Sequence, residues 1–232
     1  MLWWSMLFPK NRLIPVKYII NSQWNFPFGL YPNIKPYPNI KQLGCPAINS
    51  TDNKLFYVNS PINFTLKFGI KNDEPYYEYD FDEKLHTPSD KVHEFINKTL
   101  TMQYQREVMN IQILLPYAFV TDNKDLTVMT VPPPLDYNNC TFAGGELYIK
   151  NWIRHLNLAL VLSNNNKVAS VTFSVNKPIM MYVFNKQIKL EYTEETDKIK
   201  KYLNHNRTLI NYRNNIMSLY KDIVSRRPKK LL

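Results

Sequence analysis

Apolar and polar residues alternate with a period of two along Ile62, Phe64, Leu66 and Phe68, with Asn63, Thr65 and Lys67 between them. Successive side chains on a strand point to opposite faces, so this stretch predicts a half-buried strand with one face on a core. Pro61 stands at its first residue, where a strand tolerates proline. Tyr76 to Phe81 predicts a hairpin partner, reached through a turn over Gly69 to Pro75. Further strands are predicted over Val16 to Ile20, Phe56 to Val58, Met109 to Leu115, Tyr117 to Val120 and Leu126 to Val131. Leu156 to Leu162, Val168 to Val175 and Ile179 to Phe184 complete the set. Polar turns separate them at Asp122 to Asp125 and Ser163 to Lys167, and Pro132-Pro133-Pro134 ends one of them. Short strands at this spacing predict a mainly β chain, a β-sandwich or jelly-roll of cupin-like form.

Two stretches carry the helical period instead. Ser89 is placed to cap a short helix over Asp90 to Asn97, with Val92, Phe95 and Ile96 on one side. Thr193 is placed to cap a second that begins at Glu194-Glu195, with carboxylates in its first turn. Ile199, Tyr202, Leu203, Leu209, Ile210, Ile216, Leu219, Tyr220 and Ile223 continue that stripe until Pro228 stops it. Such a face docks on its own sheet, with a partner helix or a membrane surface as the alternative.

These patterns divide the chain into an N-terminal arm over 1–43, a β domain over 44–190, and a C-terminal helix with a basic tail over 191–232. Within the arm, Tyr31-Pro32-Asn33-Ile34-Lys35-Pro36 is followed by the near copy Tyr37-Pro38-Asn39-Ile40-Lys41-Gln42. Each proline biases the preceding tyrosine toward extended geometry, so the segment is expected to lie stretched over the domain. Its tyrosines and isoleucines need burial, which favours a clasp on its own domain over a peptide ligand for another protein.

Composition narrows the chemistry. Five glycines in 232 residues leave little room for a phosphate-cradling loop, while 16 prolines, 16 tyrosines and 12 phenylalanines suit strands joined by stiff turns. The net charge of +10 permits nucleic acid, anionic membrane or acidic protein partners. That charge is spread along the chain, with one dense block at Arg226-Arg227-Pro228-Lys229-Lys230. Cys45 and Cys140 are too far apart to form a metal pair or a disulfide framework, and their apolar neighbours predict buried free thiols in a reducing compartment. The run Met1-Leu2-Trp3-Trp4-Ser5-Met6-Leu7-Phe8 is too short to span a bilayer and lacks the form of a signal peptide, so no secretion is expected.

Catalytic patterns are weak. His86, Asp90 and His93 form the compact histidine cluster, but the pair of ligands that metal-dependent barrels place two apart on a strand is missing. Glu78, Asp80 and Asp82 fall on one face of a strand, where an exposed acidic edge is the simpler account than acid–base catalysis. No cofactor and no metal are expected, and the catalytic set is empty.

Cys45-Pro46-Ala47, the strand led by Ser60-Pro61, and Trp152-Ile153-Arg154-His155-Leu156-Asn157 together resemble a family of phage and bacterial proteins. That family carries a Cys-Pro-Ala turn, a Ser-Pro strand, Trp-x-Arg-Pro-Leu-Asn and a Gly-x-Pro hairpin. Here His155 stands for the proline, and Asn176 for the glycine in Val175-Asn176-Lys177-Pro178. The resemblance covers roughly residues 44 to 190 and implies a cupin-like or sandwich domain encoded by a tailed phage, in the host cytoplasm or the virion. It implies no activity. Cys45, Pro46, Ser60 and Pro61 then read as structural punctuation. Trp152, Arg154 and Asn157 are the candidate ligand-binding residues, since an arginine two places from a tryptophan can stack on it or grip a carboxylate. The expected function is non-enzymatic, by contact with a protein partner or by self-association. A small-ligand binder or enzyme using the barrel interior near Arg154 is the alternative, and nucleic-acid binding through the basic surface is the second.

Overall fold

A computed structural model describes residues 13–20, 32–38, 53–81, 89–105, 108–150, 153, 155–162, 167–175, 177–201 and 203, and the account below concerns these residues. In chain order the strands are β1 (Ile14–Ile20), β2 (Lys35–Pro36), β3 (Leu55–Asn59), β4 (Phe64–Lys71) and β5 (Glu74–Asp80). The helix α1 (Ser89–Thr99) follows, then β6 (Leu100–Gln105), β7 (Val108–Ile113), β8 (Tyr117–Val120), β9 (Thr127–Val131), β10 (Asp136–Asn138) and β11 (Cys140–Phe142). Last come β12 (Glu146–Tyr148), β13 (Leu158–Leu162), β14 (Val168–Phe173), β15 (Pro178–Phe184) and β16 (Ile188–Tyr192).

The strands form four sheets with orders β16-β1-β8, β10-β14-β4-β5, β11-β13-β7-β6 and β12-β9-β15-β3-β2. Connectivity joins these into two long layers. β3 runs on into β4, β9 into β10 and β14 into β15, so three strand paths pass from the five-stranded sheet into the β10-β14-β4-β5 sheet. In the other layer β7 runs on into β8, and His155 bridges Ala118 just before Leu158 pairs with Ile113. Each layer is therefore a broken sheet bent at its middle. The bends fall at or beside Pro61, Pro116, the Pro132-Pro133-Pro134 run and Pro178. Proline has no N–H to give a ladder, so the pairing lapses there and the strand turns.

One hydrophobic core fills the space between the layers along their whole length. In one half, Phe64 stacks on Phe173 at 4.4 Å between ring centroids, and Phe95 of α1 meets Phe64 edge-on at 6.2 Å. In the other half, Phe119 stands edge-on against Tyr182 at 5.0 Å and Phe184 at 5.3 Å. The mainly β, sandwich-like architecture expected from the alternation is present. Phe64, Leu66 and Phe68 are buried on β4, and Lys67 faces out.

Several elements differ from expectation. The β4–β5 hairpin turns at Asn72 and Asp73, whose φ values of 53° and 62° suit the right-handed twist of a two-residue turn. Gly69 and Pro75, expected in the turn, lie in the paired strands. The C-terminal helix starts at 197, and Thr196 caps it by accepting from the Ile199 N–H at 3.4 Å. Thr193 does not serve as the cap, because it lies four residues before the first helical residue, and its N–H continues the strand ladder to the Tyr18 carbonyl. β2, β6, β10, β11, β12 and β16 were not anticipated.

The first copy of the arm repeat rests on the domain. Ile34 enters the core, Tyr18 donates to Asn33 Oδ1 at 3.1 Å, and Tyr117 donates to the Pro32 carbonyl at 2.6 Å. The start of the C-terminal helix also docks on the chain itself. Ile199 and Leu203 join Ile19, Ala118, Val120 and Ile153 in a second buried cluster behind β1 and β8.

Candidate interaction surface

The residues singled out by sequence scatter over the structure. Cys45, Pro46, Trp152 and Arg154 lie outside the described residues. Ser60 is buried at the β3–β4 bend, where its hydroxyl donates to the Ile62 carbonyl at 2.6 Å and its N–H to the Lys177 carbonyl at 3.1 Å. Pro61 follows it, half-buried. The Ser60 N–H ties one bent path to the next. Asn157 lies on the outer face of the second layer, where its Nδ2 donates to Gln112 Oε1 at 3.3 Å.

The reactive side chains are held in ordinary structural roles. Cys140 is a buried free thiol whose ionisation is pushed up by burial. His86 is outside the described residues, and His93 Nδ1 meets the Tyr79 hydroxyl beside the ring of Phe81. Among the described residues no group of three His, Cys, Asp or Glu could hold a metal ion. Among them, too, no helix is long and apolar enough to cross a membrane.

The outer faces of the sheets differ sharply in chemistry. On the β10-β14-β4-β5 sheet, the register lines up Asp136, Thr172, Thr65 and Asp80 in one row, and Asn138, Ser170, Lys67 and Glu78 in the next. That is a solvated face. On the β11-β13-β7-β6 sheet the rows hold Thr101, Gln112 and Ala159, then Gln103, Asn110, Val161 and Thr141, without a charge.

The five-stranded sheet is the exception. Its outward positions form one row of Glu146, Met129, Val183 and Leu55, and a second of Val131, Met181, Tyr57 and Lys35. Tyr37 extends the first row, with its ring edge-on to Tyr57 at 5.8 Å. An outward face normally alternates with the core as polar residues. Here three adjacent strands present aliphatic, methionine and tyrosine side chains on the side away from the core. Met129 is 42% exposed and Tyr148 on the neighbouring edge strand 54%, whereas Leu55, Tyr57, Val131 and Val183 are half-buried and Met181 is 8% exposed. In these two rows charge appears only at the opposite ends, as Glu146 on β12 and Lys35 on β2. Glu146 is fixed in place by the Thr127 hydroxyl, which donates to Oε1 at 2.6 Å.

A signal for this face was present in the sequence. Leu55-Phe56-Tyr57-Val58 and Ile179-Met180-Met181-Tyr182-Val183-Phe184 are unbroken apolar runs without alternation. A strand with that composition is apolar on both sides. Comparison with protein-family models, curated proteins and solved structures gave no match, so the reading of this surface rests on its own geometry.

Proposed function

We propose that the chain is a non-enzymatic protein that works by protein–protein contact through the outer face of the five-stranded sheet. The observation that carries this reading is the apolar outer side of the five-stranded sheet, where Met129 is 42% exposed beside the half-buried Val131, Val183, Leu55 and Tyr57, with Met181 among them only 8% exposed. A contiguous apolar area of this kind on a sheet marks a surface that a partner covers. The space between the layers is filled by aromatic and aliphatic side chains, which favours contact outside over a ligand held within. The resemblance to phage and bacterial proteins supports an accessory or virion-associated role.

The test is site-specific photocrosslinking in the cells that make the protein. A photoreactive side chain at position 129 is expected to give a discrete adduct, and the same group at position 67, on the solvated face, none. Equal labelling from both positions, or adducts from neither, defeats the proposal.

A further inference from the structure

We infer that the place where the arm docks is a binding site for the segment Pro-Asn-Ile-Lys, and that both copies of the arm repeat occupy it in turn, six residues apart in register. The site is built from Tyr18 of β1, Tyr117 of β8 and the edge of β3. The first copy fills it with consecutive residues. The Pro32 carbonyl accepts from the Tyr117 hydroxyl at 2.6 Å, and Asn33 Oδ1 accepts from the Tyr18 hydroxyl at 3.1 Å. Ile34 is buried in the core, and Lys35 pairs with Tyr57 on β3. Each of these residues recurs, in the same order, as Pro38, Asn39, Ile40 and Lys41. The copies diverge only beyond that point, where Gln42 and Leu43 stand for Pro36 and Tyr37. Both changes suit the β3 edge. The Tyr37 N–H donates to the Leu55 carbonyl at 2.9 Å, a bond that the Leu43 N–H can make in its place. Bonded pairs alternate along an antiparallel ladder, so the nitrogen of Pro36, opposite Phe56, faces away from β3. A Gln42 N–H at that position meets water. What the second copy lacks is the stiff backbone of Pro36 and the Tyr37 ring, edge-on to Tyr57 at 5.8 Å, and these set the preference for the first. Chain length permits the exchange. After the shift, residues 43–54 still join Gln42 to β3, and antiparallel neighbours need as few as about two connecting residues. The released residues pass to the connection after β1, where added length has a small entropic cost. Two ligands tethered to one site compete at high effective concentration, so exchange within the chain outruns capture of a copy from another chain.

A photoreactive phenylalanine at position 57 of the purified full chain, with the adduct mapped by mass spectrometry, distinguishes the two registers. With no other change, the adduct is expected mainly within 35–37 and as a minor product within 41–43. Ile34→Asp puts a carboxylate in the core whenever the first copy docks, and should raise the ratio of the second adduct to the first at least about tenfold. Ile40→Asp should remove the minor adduct and leave the main one. Ile34→Asp/Ile40→Asp should lose both. Far-UV circular dichroism checks that each variant is folded, and Ile34→Ala serves in the same assay if Ile34→Asp is not. An adduct of the position-34 variant that stays within 35–37, or that disappears without a gain within 41–43, overturns the exchange. An adduct that joins two chains overturns its confinement to one. The crosslink from position 129 reports on a different surface, so the contact reading and this one stand or fall separately.

Discussion

Tyr182 sends its hydroxyl into the apolar space between the layers, where it has no hydrogen-bond partner. Burial drives its ionisation upward, as expected of a phenol cut off from water. A buried hydroxyl without a partner costs free energy that a phenylalanine of the same shape avoids. Tyr182→Phe should therefore raise stability by about 1 kcal/mol, read as a higher midpoint in urea with an unchanged slope. A lower midpoint would mean that the hydroxyl has a bound partner in solution. The same residue marks what sequence can and cannot say. That Tyr182 is buried follows from its apolar run. That its hydroxyl is orphaned follows only from which strand faces it, and Phe119 comes from a distant part of the chain. Ser60 was legible as a strand boundary because proline forces one. Its bond to Lys177 was not, because residues 117 apart in sequence carry no local sign of each other.

Among elements, β4 was the most legible and also held the clearest misreading. Gly69 sits inside the strand because β14 begins directly above it. A Cβ there would lie 2.1 Å from the Lys167 carbonyl oxygen and 3.0 Å from Val168 Cα. Glycine allows that backbone approach, and the Ile70 N–H uses it to donate to the Lys167 carbonyl at 2.8 Å. Gly69→Ala must push a strand aside, and should cost about 2 kcal/mol, within the range for overpacking. The measurement is the denaturation midpoint, and an unchanged midpoint contradicts the close approach. Sequence placed this glycine in the turn because glycine is a common turn residue. The actual turn uses Asn72 and Asp73, which tolerate left-handed backbone nearly as well. Strands with a polar outer side, such as β4 and β7, announced themselves by alternation. β10 and β11, at three residues each, are too short to show a period. The outer face of the five-stranded sheet was written in the chain as continuous apolar runs, but the rows that make it a surface depend on β9, β15 and β3 being neighbours. That order joins segments about 50 to 120 residues apart.

At the scale of the whole molecule, burial sets the response to alkali. Cys140, Tyr137 and Tyr182 all ionise above their ordinary values of 9.0 for the thiol and 10.0 for the phenols, because burial disfavours their charged forms. The unfolded chain gives up these protons first. Their contribution is therefore complete below the ordinary values and is lost as pH rises from those values through the folded ones. The urea midpoint should hold steady through neutral pH and fall across that alkaline window, less steeply in Tyr182→Phe. A midpoint constant throughout the window would show that these groups ionise as freely folded as unfolded. The sheet β16-β1-β8 sets a different limit, one of time. β1 pairs in parallel with β16, with Ile14 opposite Ile188, and its other edge pairs with β8. A ribosome delivers the first of these strands long before the last. Even after β8 has paired with it, β1 keeps one open edge, and the groove that its parallel partner will fill stays empty until residue 192 has left the exit tunnel. Closing so long a loop comes late and is slow. The nascent chain must therefore keep Val16, Tyr18 and Ile19 from straying until β16 arrives.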